Sequence, residues 1–199
     1  MVLRTGNAAD AAAAAALHAG QIREGFLASL GPRFLGRLYR RVPRVPGAFL
    51  LVLEVQGRMV GFLAGSVDVG ALYKEFVLRD GAFALIECAG SLVRSPRRVL
   101  ETLRHGTSED RGEPELLAVA VDPDARGLGG GRMLVEGFLT EIARRGQSTA
   151  HVVVASGNDR AVALYRRTGF AVVESFELHR GSESLLMRHS APSPGEPSR

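Results

Sequence analysis

A single cysteine, one lysine and no tryptophan stand among the 199 residues of this chain. One cysteine, Cys88, excludes an internal disulfide and any cysteine-built zinc cage. It lies in an apolar stretch, 82–89, and is read as a small buried hydrophobe. No apolar run approaches the roughly 18 residues that a membrane-spanning helix requires. The alanine run from Ala8 to Ala16 has no basic segment leading into a bulky apolar core, and Asp10 interrupts it. It is therefore read as an alanine-rich helix capped by Asn7 rather than as a secretory signal, and the protein is expected to be cytoplasmic. Positive charge is not concentrated either. The net charge is +4 and the arginines are spread along the whole chain, which argues against a nucleic-acid footprint.

Apolar residues make up 46% and charged residues 23%, the balance of a globular protein able to bury a core. A short strand at Val2–Thr5 precedes a helix from about Ala8 to Ala19. The stretch from Gly25 to Arg40 has near-helical apolar spacing broken at Gly31-Pro32, which predicts two short helices or one interrupted helix. The apolar runs Ala48–Val55 and Arg58–Val67, joined by Gln56-Gly57, predict a hairpin. Residues 70–106 carry helical periodicity that Gly81 and Pro96 are expected to divide, and Thr107–Pro114 is a polar loop. Toward the end, Ala171–Leu178 and Ser184–Arg188 predict a closing hairpin. The expected organisation is one domain over residues 1–189, with a helical insertion at about 70–106, and a flexible tail over 190–199.

The most informative segment runs from Glu115 to Glu141: an apolar strand, the turn Asp122-Pro123, a glycine-rich stretch, then an amphipathic helix. The first amides of a helix have no intrahelical partners, and the macrodipole adds partial positive charge there. Gly127, Gly129, Gly130 and Gly131 let a ligand approach the backbone, while Arg126 and Arg132 flank the turn. Phosphate is the expected ligand. A nucleotide-triphosphate loop would end in Gly-Lys-Ser/Thr, and a dinucleotide loop would place glycine where Arg132 stands. Neither pattern fits. The arrangement Arg126-x-x-Gly129-x-Gly131 after a strand instead resembles the pyrophosphate-binding motif of the GNAT superfamily, the acyl-CoA-dependent N-acetyltransferases.

A second segment agrees. The β-branched run Ala150–Ser156 reads as a strand, and Asn158 to Phe170 reads as a helix with Asn158 as N-cap and Gly169 as the residue that ends it. Asn158, Ala161, Val162 and Tyr165 share one helical face. This segment resembles the family's signature N-x-x-A-x-x-L-Y-x-x-x-G-F at every named position.

The resemblance implies a mixed, mainly antiparallel α/β sheet, flanked by helices, whose fourth and fifth strands splay apart to admit acetyl-CoA as donor; no metal is implied. It implies that the backbone of Val119, Ala120 and Val121 pairs with the pantetheine arm. Arg126, Gly127, Leu128, Gly129, Gly130, Gly131 and Arg132 would hold the pyrophosphate, and Asn158 would act as both cap and ligand contact. The family reaction is direct attack of an amine on the thioester, which needs proton transfers out of the amine and into the departing sulfur. Tyr165 matches the family's general acid. For the base, Glu113 and Glu115 open the fourth strand, Glu24 lies between the first helices, and His151 opens the fifth strand. Val153 stands where the ribosomal-protein N-terminal acetyltransferases carry a glutamate, a departure from that branch. Gly130, where relatives often place an apolar residue, is expected to loosen the loop by roughly 0.5–1 kcal/mol. The expected acceptor is a small-molecule or peptide amine, with neither nucleic acid nor membrane as partner. Dimers are common in the family, so a homodimer is the expected assembly if one forms. A non-catalytic acyl-CoA-binding sensor or scaffold is the alternative function.

Overall fold

The computed structural model describes residues 1–22, 31–94, 112–179 and 182–191, with the backbone alone over 82–94, 178–179 and 182. The chain begins with β1 (Val2–Thr5), a 3-10 turn (Ala8–Asp10) and α1 (Ala11–Gln21). Asn7 and Asp10 form a reciprocal capping box, so the helix starts where the sequence places its cap. Then come α2 (Gly31–Arg41), β2 (Ala48–Val55), β3 (Arg58–Ser66) and α3 (Val69–Arg94). The second half consists of β4 (Glu115–Val121), α4 (Gly130–Arg144), β5 (Thr149–Ala155), α5 (Asp159–Arg167), β6 (Phe170–His179) and β7 (Ser182–Ser190).

The seven strands form one sheet in the order β1-β2-β3-β4-β5-β7-β6. Every neighbouring pair is antiparallel except β4 and β5, which run parallel. The β2–β3 turn is the expected one: Gln56 and Gly57 both have positive φ, at 50° and 75°, which matches the twist of a two-residue hairpin. The closing hairpin also forms, but β7 rather than β6 lies against β5.

Both faces of the sheet are covered. Along β2, Phe49, Leu51 and Leu53 enter one core with α4 and α5, while Ala48, Leu50 and Val52 enter the other beneath α1 and α2. That two-sided burial explains why β2 reads as an unbroken apolar run instead of an alternating one. Removing a fully buried leucine or phenylalanine from water contributes about 1.5–3 kcal/mol. The central strands and α4, with Leu134 and Phe138 fully buried, therefore form the rigid frame on which the site is built.

Two expectations change. Gly81 does not divide the third helical stretch: α3 runs straight through it. A Cβ there would meet Val77 Cγ1 at 3.5 Å, an ordinary contact, so the helix bears only the roughly 1 kcal/mol propensity cost of glycine. Gly31-Pro32 stands in the first turn of α2, where proline is tolerated, and the segment just before it lies outside the described residues. The first helix begins properly at Ala11 after its 3-10 turn. The helix expected over 25–30, the break at Pro96, most of the loop 107–114 and the tail from 192 fall outside the described residues, and Cys88 falls where only the backbone is described.

Candidate active site

Strand β4 pairs fully with β3, through Gly61↔Val121, Phe62↔Ala120 and Leu63↔Val119. Toward β5 it makes a single pair, Glu115↔His151, closed by the His151 N–H donating to Pro114 O at 2.9 Å. The ladder register slips between Ala64 and Gly65, leaving Leu117 as an extra residue on β4. Leu116 enters one core, whereas Leu117 and Ala118 both enter the other. A bulge of this kind bends and twists the strand that carries it. Beyond Glu115, β4 and β5 therefore share no further rungs among the described residues, and the ladder register turns the backbone groups of Ala120 toward β3 and those of Val119 and Val121 toward the β5 side. The side chains of these three residues are core, Val119 and Val121 toward α4 and Ala120 toward α1.

Past the end of β4, Asp122 Oδ1 accepts from the Asp124 N–H at 3.0 Å and fixes the turn. Gly127 and Gly129 have φ of +78° and +81°, conformations that exact a Cβ penalty from other residues. Gly129 is the N-cap of α4 and provides no side-chain cap for the first amides of this 15-residue helix. Gly130 is not a loosening element. It is buried, and a Cβ there would lie 2.7 Å from Leu53 Cδ2, so close packing of α4 on β2 explains the glycine. Leu128 projects outward, 64% exposed.

The two arginines differ. Arg126 donates through Nη2 to Gln21 Oε1, at the end of α1. Arg132 lies along the surface of α4, its Nε donating to Glu136 Oε1 at 2.7 Å.

The second signature also forms its helix. Asn158 Oδ1 accepts from the Ala161 N–H at 3.1 Å, so its capping role is realised, and Gly169 has the left-handed φ of +89° expected of a helix-ending residue. Tyr165 is buried in the core beside Phe170, ring centroids 5.6 Å apart. Burial pushes its hydroxyl above the ordinary tyrosine range.

On the sheet face beneath α1 and α2, a cluster of titratable groups gathers where β4 and β5 meet. His151 Nε2 lies 3.5 Å from Glu115 Oε2, and Arg188 Nη2 on β7 lies 3.0 Å from Glu113 Oε2. The structure thus separates the two candidate carboxylates: Glu113 is held by an arginine, and Glu115 sits at the edge of the opening, 27% exposed. Val153, two residues beyond His151 on the same face of β5, is 40% exposed. Tyr73 on α3 is half-buried; burial, and then the charge of Glu115, raise its hydroxyl. Farther under α1, His18 Nδ1 and Tyr39 Oη are 2.5 Å apart, both side chains fully buried. Glu24 lies outside the described residues. Sequence reasoning did not find Gln21, Tyr73 or Arg188, because each is brought to the site by an element distant in sequence. Among the described residues no group of histidine, cysteine and acidic side chains is arranged to hold a metal, and no helix is long and apolar enough to cross a membrane.

Comparison with known proteins agrees with this geometry. Residues 21–170 match the model of the acetyltransferase (GNAT) family. A mycothiol acetyltransferase of Cellulomonas flavigena is 36% identical over 58% of this chain and 32% of its own length. The ribosomal protein bS18-alanine N-acetyltransferase of Escherichia coli is 41% identical over 29% of this chain and 39% of its own. The chain thus spans well under half of the curated relatives it matches. In fold, it resembles the crystal structure of the Escherichia coli ribosomal-protein-S18-alanine N-acetyltransferase with a TM-score of 0.62, at 19% identity over 100% of this chain and 98% of that one. It also resembles YncA of Salmonella typhimurium, solved with its cofactor acetyl-CoA, with a TM-score of 0.63 at 18% identity over 100% and 98% of the two chains.

Proposed function

Because the chain belongs to the acetyltransferase (GNAT) family, we propose that it transfers an acetyl group from acetyl-CoA directly to a primary amine. The observation that carries this reading is the opening between β4 and β5: it starts at Glu115↔His151 and lies on the strand that leads into the uncapped, glycine-lined start of α4. An extended acyl-CoA fits such a place, with its pyrophosphate on the first amides of α4 and its pantetheine arm along Val119–Val121. Arg126 is the nearer charged partner for the phosphates once it leaves Gln21; Arg132 reaches them only by giving up Glu136.

The chain then has two proton-transfer tasks. Glu115, not Glu113, serves the incoming amine, because Arg188 already compensates the charge of Glu113. Tyr165 donates to the departing thiolate, since a tyrosine hydroxyl carries its proton at neutral pH. The acceptor is a small-molecule or peptide amine; the related proteins named for mycothiol and for a ribosomal-protein alanine support that class.

Release of free CoA from acetyl-CoA in the presence of a panel of amines tests the reading. Amine-dependent CoA release is the expected result. Tight acetyl-CoA binding with no turnover on any amine would instead identify a sensor or scaffold.

A further inference from the structure

We infer that His151 is a positioning residue for Glu115, held with a proton on Nε2 that it directs at the carboxylate. The inference rests on the reading of Glu115 as the acceptor-side carboxylate. Four observations lead to it. Among the described residues Glu115 and His151 form the sole rung between β4 and β5, so their backbones are fixed relative to each other where the strands part. The His151 N–H donates to Pro114 O, which anchors the residue independently of its ring. The ring is nine-tenths buried, and its Nε2 lies 3.5 Å from Glu115 Oε2. Its other nitrogen, Nδ1, is buried and has no hydrogen-bond partner among the described residues.

The tautomer follows from the donor count. In neutral imidazole one nitrogen donates and the other accepts. A proton on Nδ1 would be a buried donor with nothing to receive it, and would leave the Nε2 lone pair facing a carboxylate oxygen. A proton on Nε2 turns a donor toward the carboxylate as a charge-assisted N–H···O contact, and leaves at Nδ1 an unpaired lone pair in place of an unpaired donor. The separation of 3.5 Å is at the long limit of a hydrogen bond. Arg188 pairs with His151 across β5 and β7 and faces Glu113, while Tyr73 on α3 lies within electrostatic reach of Glu115. Arg188 carries no acceptor, and no described side-chain or backbone oxygen accepts from Nδ1. His151 is thus the donor that fixes the Glu115 carboxylate at the mouth of the opening, where a rotated carboxylate would miss the amine.

Nitrogen-15 NMR of the histidine rings in the full chain reads the tautomer directly. A His151 signal of the Nε2–H form, lost in His151→Leu, is expected; an Nδ1–H form would overturn the assignment. Kinetics supply the second arm. His151→Leu is expected to lower kcat about 10–100-fold, the usual cost of losing a partner that orients a functional ligand. Its affinity for acetyl-CoA should stay within about twofold. His151→Gln, which keeps a side-chain N–H donor, should recover most of the loss. Wild-type kcat in His151→Leu would refute the role, as would a folded His151→Gln no better than the leucine variant. If the wild type itself turns over no amine, the acetyltransferase reading fails while the tautomer remains readable.

Discussion

Arg126 on the glycine turn donates to Gln21, the last residue of α1, across 105 positions of sequence. The guanidinium proposed to meet the pyrophosphate is therefore already engaged with the end of α1. In the proposed binding mode Gln21 competes with the donor for Arg126. Replacing Arg126 by alanine is expected to weaken acetyl-CoA binding by about 1.5–3 kcal/mol, the range of a hydrogen bond to a charged group. Gln21→Ala should strengthen it by about 0.5–1.5 kcal/mol, because a competitor is gone. Titration calorimetry decides: an unchanged affinity in Gln21→Ala would show that the contact does not compete with the donor.

Tyr165→Phe removes one oxygen from a buried ring that packs against Phe170, so the variant should fold. If the hydroxyl protonates the leaving sulfur, kcat should fall about 10²–10⁴-fold, the usual worth of general acid catalysis, with acetyl-CoA affinity unchanged. Full turnover by the variant would remove that role.

Stability should depend on pH through His18. Burial pulls its pKa from 6.5 down to about 4 in the folded chain. The folded state therefore resists a proton that the unfolded state accepts below about pH 6.5. Stability should decline as pH falls through that window, by up to about 1.4 kcal/mol per pH unit, and flatten near pH 4. Glu141 acts in a separate, more acidic window. Its hydrogen bond from Arg144, chiefly, lowers it to about 2, so its contribution is lost as pH falls from about 4.5 toward 2. Denaturant unfolding at several pH values, in wild type and His18→Gln, checks the assignment; an equal slope in both would assign the upper window to other groups.

Gly130→Val tests the packing of the cofactor helix. The new Cβ would press on Leu53 Cδ2 at 2.7 Å inside the core. Overpacking of this kind costs about 1–3 kcal/mol, or a fall in Tm of about 2–4 °C per kcal/mol for a domain of this size. A Tm equal to that of wild type would mean that α4 can shift away from β2 at no cost.

Much of this site can be read from the chain alone because its parts are local. A strand, a turn and a helix start are contiguous between Glu115 and Glu141, and backbone amides at a helix start need no distant partner. The same holds for Asn158 as cap and Gly169 as terminator, both set by neighbouring residues. Gly81 misled because a glycine within an otherwise helical pattern carries a small propensity cost that tertiary packing outweighs. Gly130 misled for a related reason: what it avoids is a side chain, Leu53, that lies 77 positions earlier.

The sequence by itself determined the element types, the glycine-rich turn before α4 and the family resemblance, since these depend on periodicity, caps and glycines within short windows. Only the tertiary structure decided that β7 enters between β5 and β6, and that Arg188 thereby reaches Glu113. It also decided that β4 and β5 part after one rung, leaving Glu115 rather than Glu113 beside the opening. Those choices depend on register and on a bulge, where one residue of slip sends every following side chain to the other face.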